Sequence, residues 1–172
     1  MAPSTSSATS AHALPQMPNL IDATLVGLQL YFMLMNLTVE RAYSGGPLVA
    51  GDTRFLVAQT IAFCQKYNPL FLARPDWLVA ATTFSAYGFC PFYAAILRAA
   101  LANRWHELRL PIAAFVGMKV YALTFYHYME FSSATPPTQL LPYFAVEGPY
   151  LLSMALVSWR LWSNRTHAKS AQ

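Results

Sequence analysis

Long apolar stretches alternate with polar connections along this chain. Four stand out, at residues 20–39, 77–97, 110–129 and 140–162. Each is close to the roughly 20 residues that carry a helix across a bilayer core. Charge is nearly absent from them: Asp22 stands at the edge of the first, Asp76 and Arg98 bound the second, Lys119 lies in the third and Glu147 in the fourth. Pro91 and Gly148-Pro149 interrupt the second and fourth. Membrane helices tolerate such breaks where neighbours satisfy the freed carbonyls. The pattern predicts an all-α membrane protein, a bundle of four transmembrane helices. A fifth, short amphipathic helix at residues 55–67 is expected to lie near the interface.

The bundle is expected to occupy residues 20–162, between tails at 1–19 and 163–172. The first tail is rich in Ser, Ala, Thr and Pro and has no Lys or Arg. It lacks the basic start and apolar core of a secretory signal, so it is expected to be disordered, with the first span serving as the targeting signal. Composition agrees with the pattern. Charged residues are 10% of the chain and hydrophobic ones 56%. A soluble domain carries roughly 25% charge; this chain needs lipid as solvent. The net charge of +4 is too small and too scattered for a nucleic-acid footprint. Cys64 and Cys90 have no metal-ligand or disulfide-framework spacing and are expected to be inert thiols. No nucleotide loop, haem motif or metal triad is present, so no cofactor is expected.

Charge also predicts topology. Arg98, Arg104, Arg109, Arg160, Arg165 and Lys169 fall with the two termini and the second connection. The positive-inside rule makes that side cytosolic. The connection at 132–139, with no Lys or Arg, and the long first connection are then lumenal.

Polar groups in the four spans converge on the lumenal half. Asn36 and Glu40, four residues apart, share a helix face. Lys119, Leu123, Tyr126, His127 and Glu130 form one stripe on the third span. Ser85 and Tyr87 lie at a similar depth on the second, Glu147 and Tyr150 on the fourth, with aromatics such as Tyr31, Phe84, Phe92, Tyr121, Phe125 and Tyr143 around them. Bland readings stand beside these. Glu40 and Glu130 lie near span ends and could be interfacial. His127 could be a hydrogen-bonded core residue. Lys119 is expected to pair with an acid, most plausibly Glu147, because an unpaired buried charge is costly.

A carboxyl group held away from water can donate a proton. A second group can accept one elsewhere on the substrate, and aromatic faces stabilise the cation formed between those steps. The combination suits protonation of an alkene or epoxide in an isoprenoid, yielding isomers or rings.

The run YNPLFLARPDWLVAATTFSAYGFCPFYAAI within the four-span pattern resembles the EXPERA superfamily, which includes emopamil-binding protein, a sterol isomerase, and the sigma-two receptor. The resemblance covers residues 20–162. Gly148-Pro149-Tyr150-Leu151-Leu152 is similar to the Ala-Pro-Tyr-Leu-Leu of that receptor. The resemblance implies a four-span fold, a sterol or terpenoid ligand and an endoplasmic reticulum membrane. It implies site residues unevenly. The isomerase's first-span His and Glu are matched by Asn36 and Glu40, its second-span Glu by Ser85, and its fourth-span Asn and Trp by Glu147 and Tyr150. The third-span Tyr and terminal acid are matched by Tyr121 and Glu130, and the receptor's loop Asp by Asn68. One family carboxylate is thus lost at Ser85 and a new one appears at Glu147. The swap argues against the standard sterol isomerase reaction and keeps an acidic pocket.

The expected function is therefore a cofactor-free isomerase or cyclase of a sterol or terpenoid. Glu40, Glu147 and His127 are the candidate catalytic residues. Asn36, Asn68, Phe84, Ser85, Tyr87, Lys119, Tyr121, Glu130 and Tyr150 are the candidate substrate-binding ones. The alternative is a non-catalytic sterol-binding or trafficking protein using the same pocket. Partners are an isoprenoid ligand and the bilayer, not nucleic acid, and a homodimer is allowed.

Overall fold

In the computed structural model, residues 19–169 are described, with side chains through Ser163. They form helices without strands: α1 (Leu20–Met35), a π-helical segment (Asn36–Glu40), α2 (Arg41–Gly45), α3 (Val57–Tyr67), α4 (Pro69–Ala73), α5 (Asp76–Gly88), α6 (Cys90–Ala102), α7 (Arg109–Phe131) and α8 (Leu140–Lys169). The expected tail at 1–19 lies outside the described residues except for Asn19. That residue starts α1: its side chain accepts from the Asp22 backbone N–H at 2.9 Å, satisfying a donor that has no partner within the helix. α8 continues past residue 162 to Lys169, so the C-terminal tail expected from 163 is helical over most of its length. Residues 170–172 lie outside the described residues.

Among the described residues, two helices are long and apolar enough to cross a membrane, Leu20–Gly45 and Leu140–Ser163. The expected second span is not one straight helix: α5 and α6 are bent by 46° where they meet, and give a third candidate crossing only if taken together. The break falls where Pro91, at the start of α6, removes a backbone donor. Pro149, by contrast, lies inside an unbroken α8. The expected third span, α7, has 23 residues. Length suffices, but with Lys119 and His127 within it α7 is not among the helices apolar enough to cross.

The core lies among α1, α6, α7 and α8. Leu25 and Phe32 of α1 meet Tyr93 and Ile96 of α6, Ile112 and Phe115 of α7, and Val157 of α8, all with no exposed surface. Polar contacts mark the two ends of the bundle. At one end Arg160 of α8 reaches Asp22 of α1, and its guanidinium lies 5.4 Å from the ring centre of Trp105 in the second connection. At the other, Thr138 of the α7–α8 connection bonds the C-terminus of α3, donating from N to Tyr67 O at 3.2 Å and from Oγ1 to Lys66 O at 2.7 Å. The start of α1, the second connection and the end of α8 therefore share one end, and the first and third connections share the other.

Candidate functional site

A cavity of about 480 Å³ opens between α1, α5, α7 and α8 beneath α3. The helix expected near the interface is its cover. α3 buries Val57, Ile61 and Cys64 inward, and Gln59, Thr60, Phe63 and Cys64 line the space. Burial pushes the Cys64 thiol up to about 12, so it stays protonated and unreactive. Cys64 and Cys90 are both free. The other walls are mainly apolar, with Met35, Val39, Phe71, Leu78, Leu123 and Val146 among them.

Six of the expected site residues line this space: Glu40, Asn68, Ser85, Lys119, Glu147 and Tyr150. Glu40 ends the π-helical segment, a distortion that recurs at functional sites. Asn36, fully buried just behind it, donates from Nδ2 to Glu40 at 2.7 Å and lies 3.5 Å from Ser85 Oγ. The shared face expected of Asn36 and Glu40 is present as this hydrogen bond. Glu147 enters from α8, one residue before Gly148-Pro149, and its side chain makes no hydrogen bond or ion pair among the described residues.

Lys119 is buried but does not form the expected ion pair. Among the described residues the pairs are Arg54–Asp52, Arg104–Glu107 and Arg160–Asp22. The Lys119 ammonium instead lies 4.8 Å from the ring centres of both Phe89 and Tyr150, and 5.9 Å from that of Tyr93. Ring faces carry partial negative charge and hold a cation, and here they occupy the position an acid was expected to fill. Tyr150 is itself stacked on Phe32 at 4.2 Å between ring centres. Glu40 and Glu147 line the same cavity as Lys119.

Glu130 is not interfacial. It is fully buried, away from the lining, and accepts from Tyr126 at 3.0 Å and from Tyr143. Tyr126 does line the cavity, and Asn68 donates to its oxygen at 3.5 Å. Asn68 also caps α4, accepting from Phe71 N. A chain Asn68–Tyr126–Glu130–Tyr143 therefore runs from the cavity wall into the packing between α7 and α8. Sequence reasoning placed Tyr126 on the stripe but did not select it.

Four expected residues lie elsewhere. His127 turns away from the cavity: its Nδ1 donates to the Leu123 carbonyl at 2.8 Å, and its ring packs against Tyr143 and Phe144. That is the hydrogen-bonded core alternative. Phe84, Tyr87 and Tyr121 are 64%, 62% and 74% exposed and face outward. Ser85 and Thr82 hold the inner face of α5. Tyr121 sits two positions past Lys119, nearly opposite it on a helix that turns roughly 100° per residue. The rings that do line the cavity include Tyr31, Phe63, Phe71 and Phe89.

The chain is thus a helical protein with apolar helices fit for a membrane and, among them, a mainly apolar cavity that carries Glu40, Lys119 and Glu147. No protein-family model, curated protein or solved structure matches it.

Proposed function

We propose that this chain is a cofactor-free isomerase or cyclase of a sterol or terpenoid, acting by proton transfer through a carbocation in an intramembrane cavity. One observation carries the reading: Glu40 and Glu147, from helices at opposite ends of the sequence, line a single apolar cavity. A cavity of about 480 Å³ falls within the ordinary range for a small-molecule site. One glutamic acid gives a proton to an alkene or epoxide carbon or oxygen, and the other carboxylate removes a proton from a different carbon. Tyr31, Phe63 and Phe71 supply ring faces for the cation. Lys119 is an unfavourable neighbour for a carbocation, and the two glutamates offset it. The resemblance of residues 20–162 to the EXPERA superfamily fits this reading.

The proposed setting is a four-span bundle in the endoplasmic reticulum membrane, with α7 as third span. Support comes from the shared ends described above, which suit a chain crossing four times. The basic residues at the end bearing Asp22, Trp105 and Arg160 support a cytosolic side for the termini. Purified protein in lipid, incubated with unsaturated isoprenoid alcohols, epoxides and sterols, should yield an isomer of equal mass from one of them. Tight binding with no isomer from any would favour a ligand-binding or trafficking protein instead.

A further inference from the structure

Lys119 has no task in the proton-transfer reading. The residue is 7% exposed and lines the cavity. No carboxylate lies within 4 Å among the described residues, and the ammonium is held by Phe89 and Tyr150. A lysine serving only structure at such a depth would be expected to carry an acid partner. An anionic ligand is a poor occupant, since Glu40 and Glu147 line the same space. A neutral carbonyl compound meets no such repulsion.

We propose that Lys119 captures an apolar aldehyde or ketone as a covalent imine. Amines set in apolar pockets form such adducts with carbonyl substrates. The ammonium first passes a proton to a cavity carboxylate, Glu40 or Glu147. The freed nitrogen lone pair attacks the carbonyl carbon, and the resulting carbinolamine loses its hydroxyl as water, taking that proton back. Ammonium plus carbonyl thereby becomes iminium plus water, with the charge unchanged. The iminium nitrogen inherits the ring faces that hold the ammonium, and the same two glutamates act as its counter-charges. The apolar walls limit the access of water that would hydrolyse the product. This capture does not rest on the isomerase reading and is measured separately from it.

The chain has three lysines, Lys66, Lys119 and Lys169. Lys66 is exposed on α3 and serves as an internal control. The test incubates the full chain in phosphatidylcholine nanodiscs, which contain no amine lipid, with all-trans-retinal as probe. Borohydride reduction and peptide mapping locate any adduct. The expected result is a red-shifted protonated-imine band and a reduced adduct at Lys119, suppressed by excess retinol and lost in Lys119→Arg. Mapping on the unaltered chain decides the matter even if that variant folds poorly. Adduct confined to Lys66 or Lys169, adduct spread evenly over exposed and buried lysines, or retinal bound without any adduct would each overturn the proposal.

Discussion

Arg160 grips Asp22 with two parallel hydrogen bonds, Nε to Oδ1 and Nη2 to Oδ2, each 2.8 Å, across 138 residues of sequence. Their side chains are 13% and 5% exposed, and two turns deeper Gln29 donates to Ser153 at 2.9 Å. α1 and α8 are thus fastened by polar groups along a seam that is otherwise apolar. Breaking a buried pair from one side strands the other charge and costs about 3–5 kcal/mol. Asp22→Asn and Arg160→Met should each lower the melting temperature in detergent. Asp22→Leu with Arg160→Met should recover much of the loss. A double variant no more stable than the singles would mean the pair has no such role.

The same contact bears on topology. Asp22 and Arg160 hold the start of α1 and the end of α8 together, while Thr138 holds the α7–α8 connection to α3. With the basic end in the cytosol, a glycosylation acceptor inserted at Thr135 should be modified in microsomes, and the sequon at Asn164 should not. Modification at Asn164 alone would invert the proposed orientation.

Much of this was legible in the sequence. The apolar spans gave the helices, and helical spacing put Asn36 with Glu40 and Lys119 with Leu123 and Tyr126 on the cavity side. Spacing also explains the failures on α7. His127 lies roughly 80° round from Lys119 by helical geometry and turns to α8. Glu130 returns to the same face but three turns further along, past the cavity wall. Tyr121 entered as one of the aromatics around the polar groups and through the family resemblance, against its own position on the helix. The Asp22–Arg160 pair was not legible, because charges so far apart in sequence read first as topology signals. Nor was the role of α3, whose amphipathic face fits a bilayer surface and a cavity cover equally well.

Lys119 tests whether rings or an acid hold the ammonium. A double-mutant cycle between Lys119→Met and Phe89→Leu should show coupling of about 0.5–2 kcal/mol, the range for a cation over an aromatic face. The cycle between Lys119→Met and Glu147→Gln should give less, since no contact within 4 Å joins them. The opposite ranking, read from denaturation in detergent, would restore the ion pair expected from sequence.

Tyr126 and Tyr143 both donate to Glu130, but only Tyr126 lines the cavity. Phenylalanine at either position leaves a buried carboxyl group short of a donor, a loss of about 1–3 kcal/mol. Both variants should therefore melt lower. Retinol affinity, followed by fluorescence, should change with Tyr126→Phe and stay the same with Tyr143→Phe. Equal effects of the two on affinity would show that the network acts through stability alone.

Glu40 and Glu147 differ in their surroundings, and that difference predicts how their variants behave. Glu40 is fixed by Asn36 at 2.7 Å, whereas Glu147 has no hydrogen bond to a described residue. Glutamine keeps the size of glutamate but cannot exchange a proton in the same way. Removing a general acid or base typically lowers turnover about 10²–10⁴-fold. Glu147→Gln should therefore lower turnover of an isomerised isoprenoid by that order, with little change in melting temperature. Glu40→Gln should lower turnover too, and stability slightly, because Asn36 Nδ2 loses a charged acceptor. Asn36→Ala should reproduce part of the Glu40 effect by releasing that carboxylate from its fixed position, and should raise KM or lower kcat without abolishing reaction. Turnover by both glutamine variants within a few-fold of the original would remove these carboxylates from the chemistry. Their presence in the cavity would then be a matter of balancing the charge of Lys119.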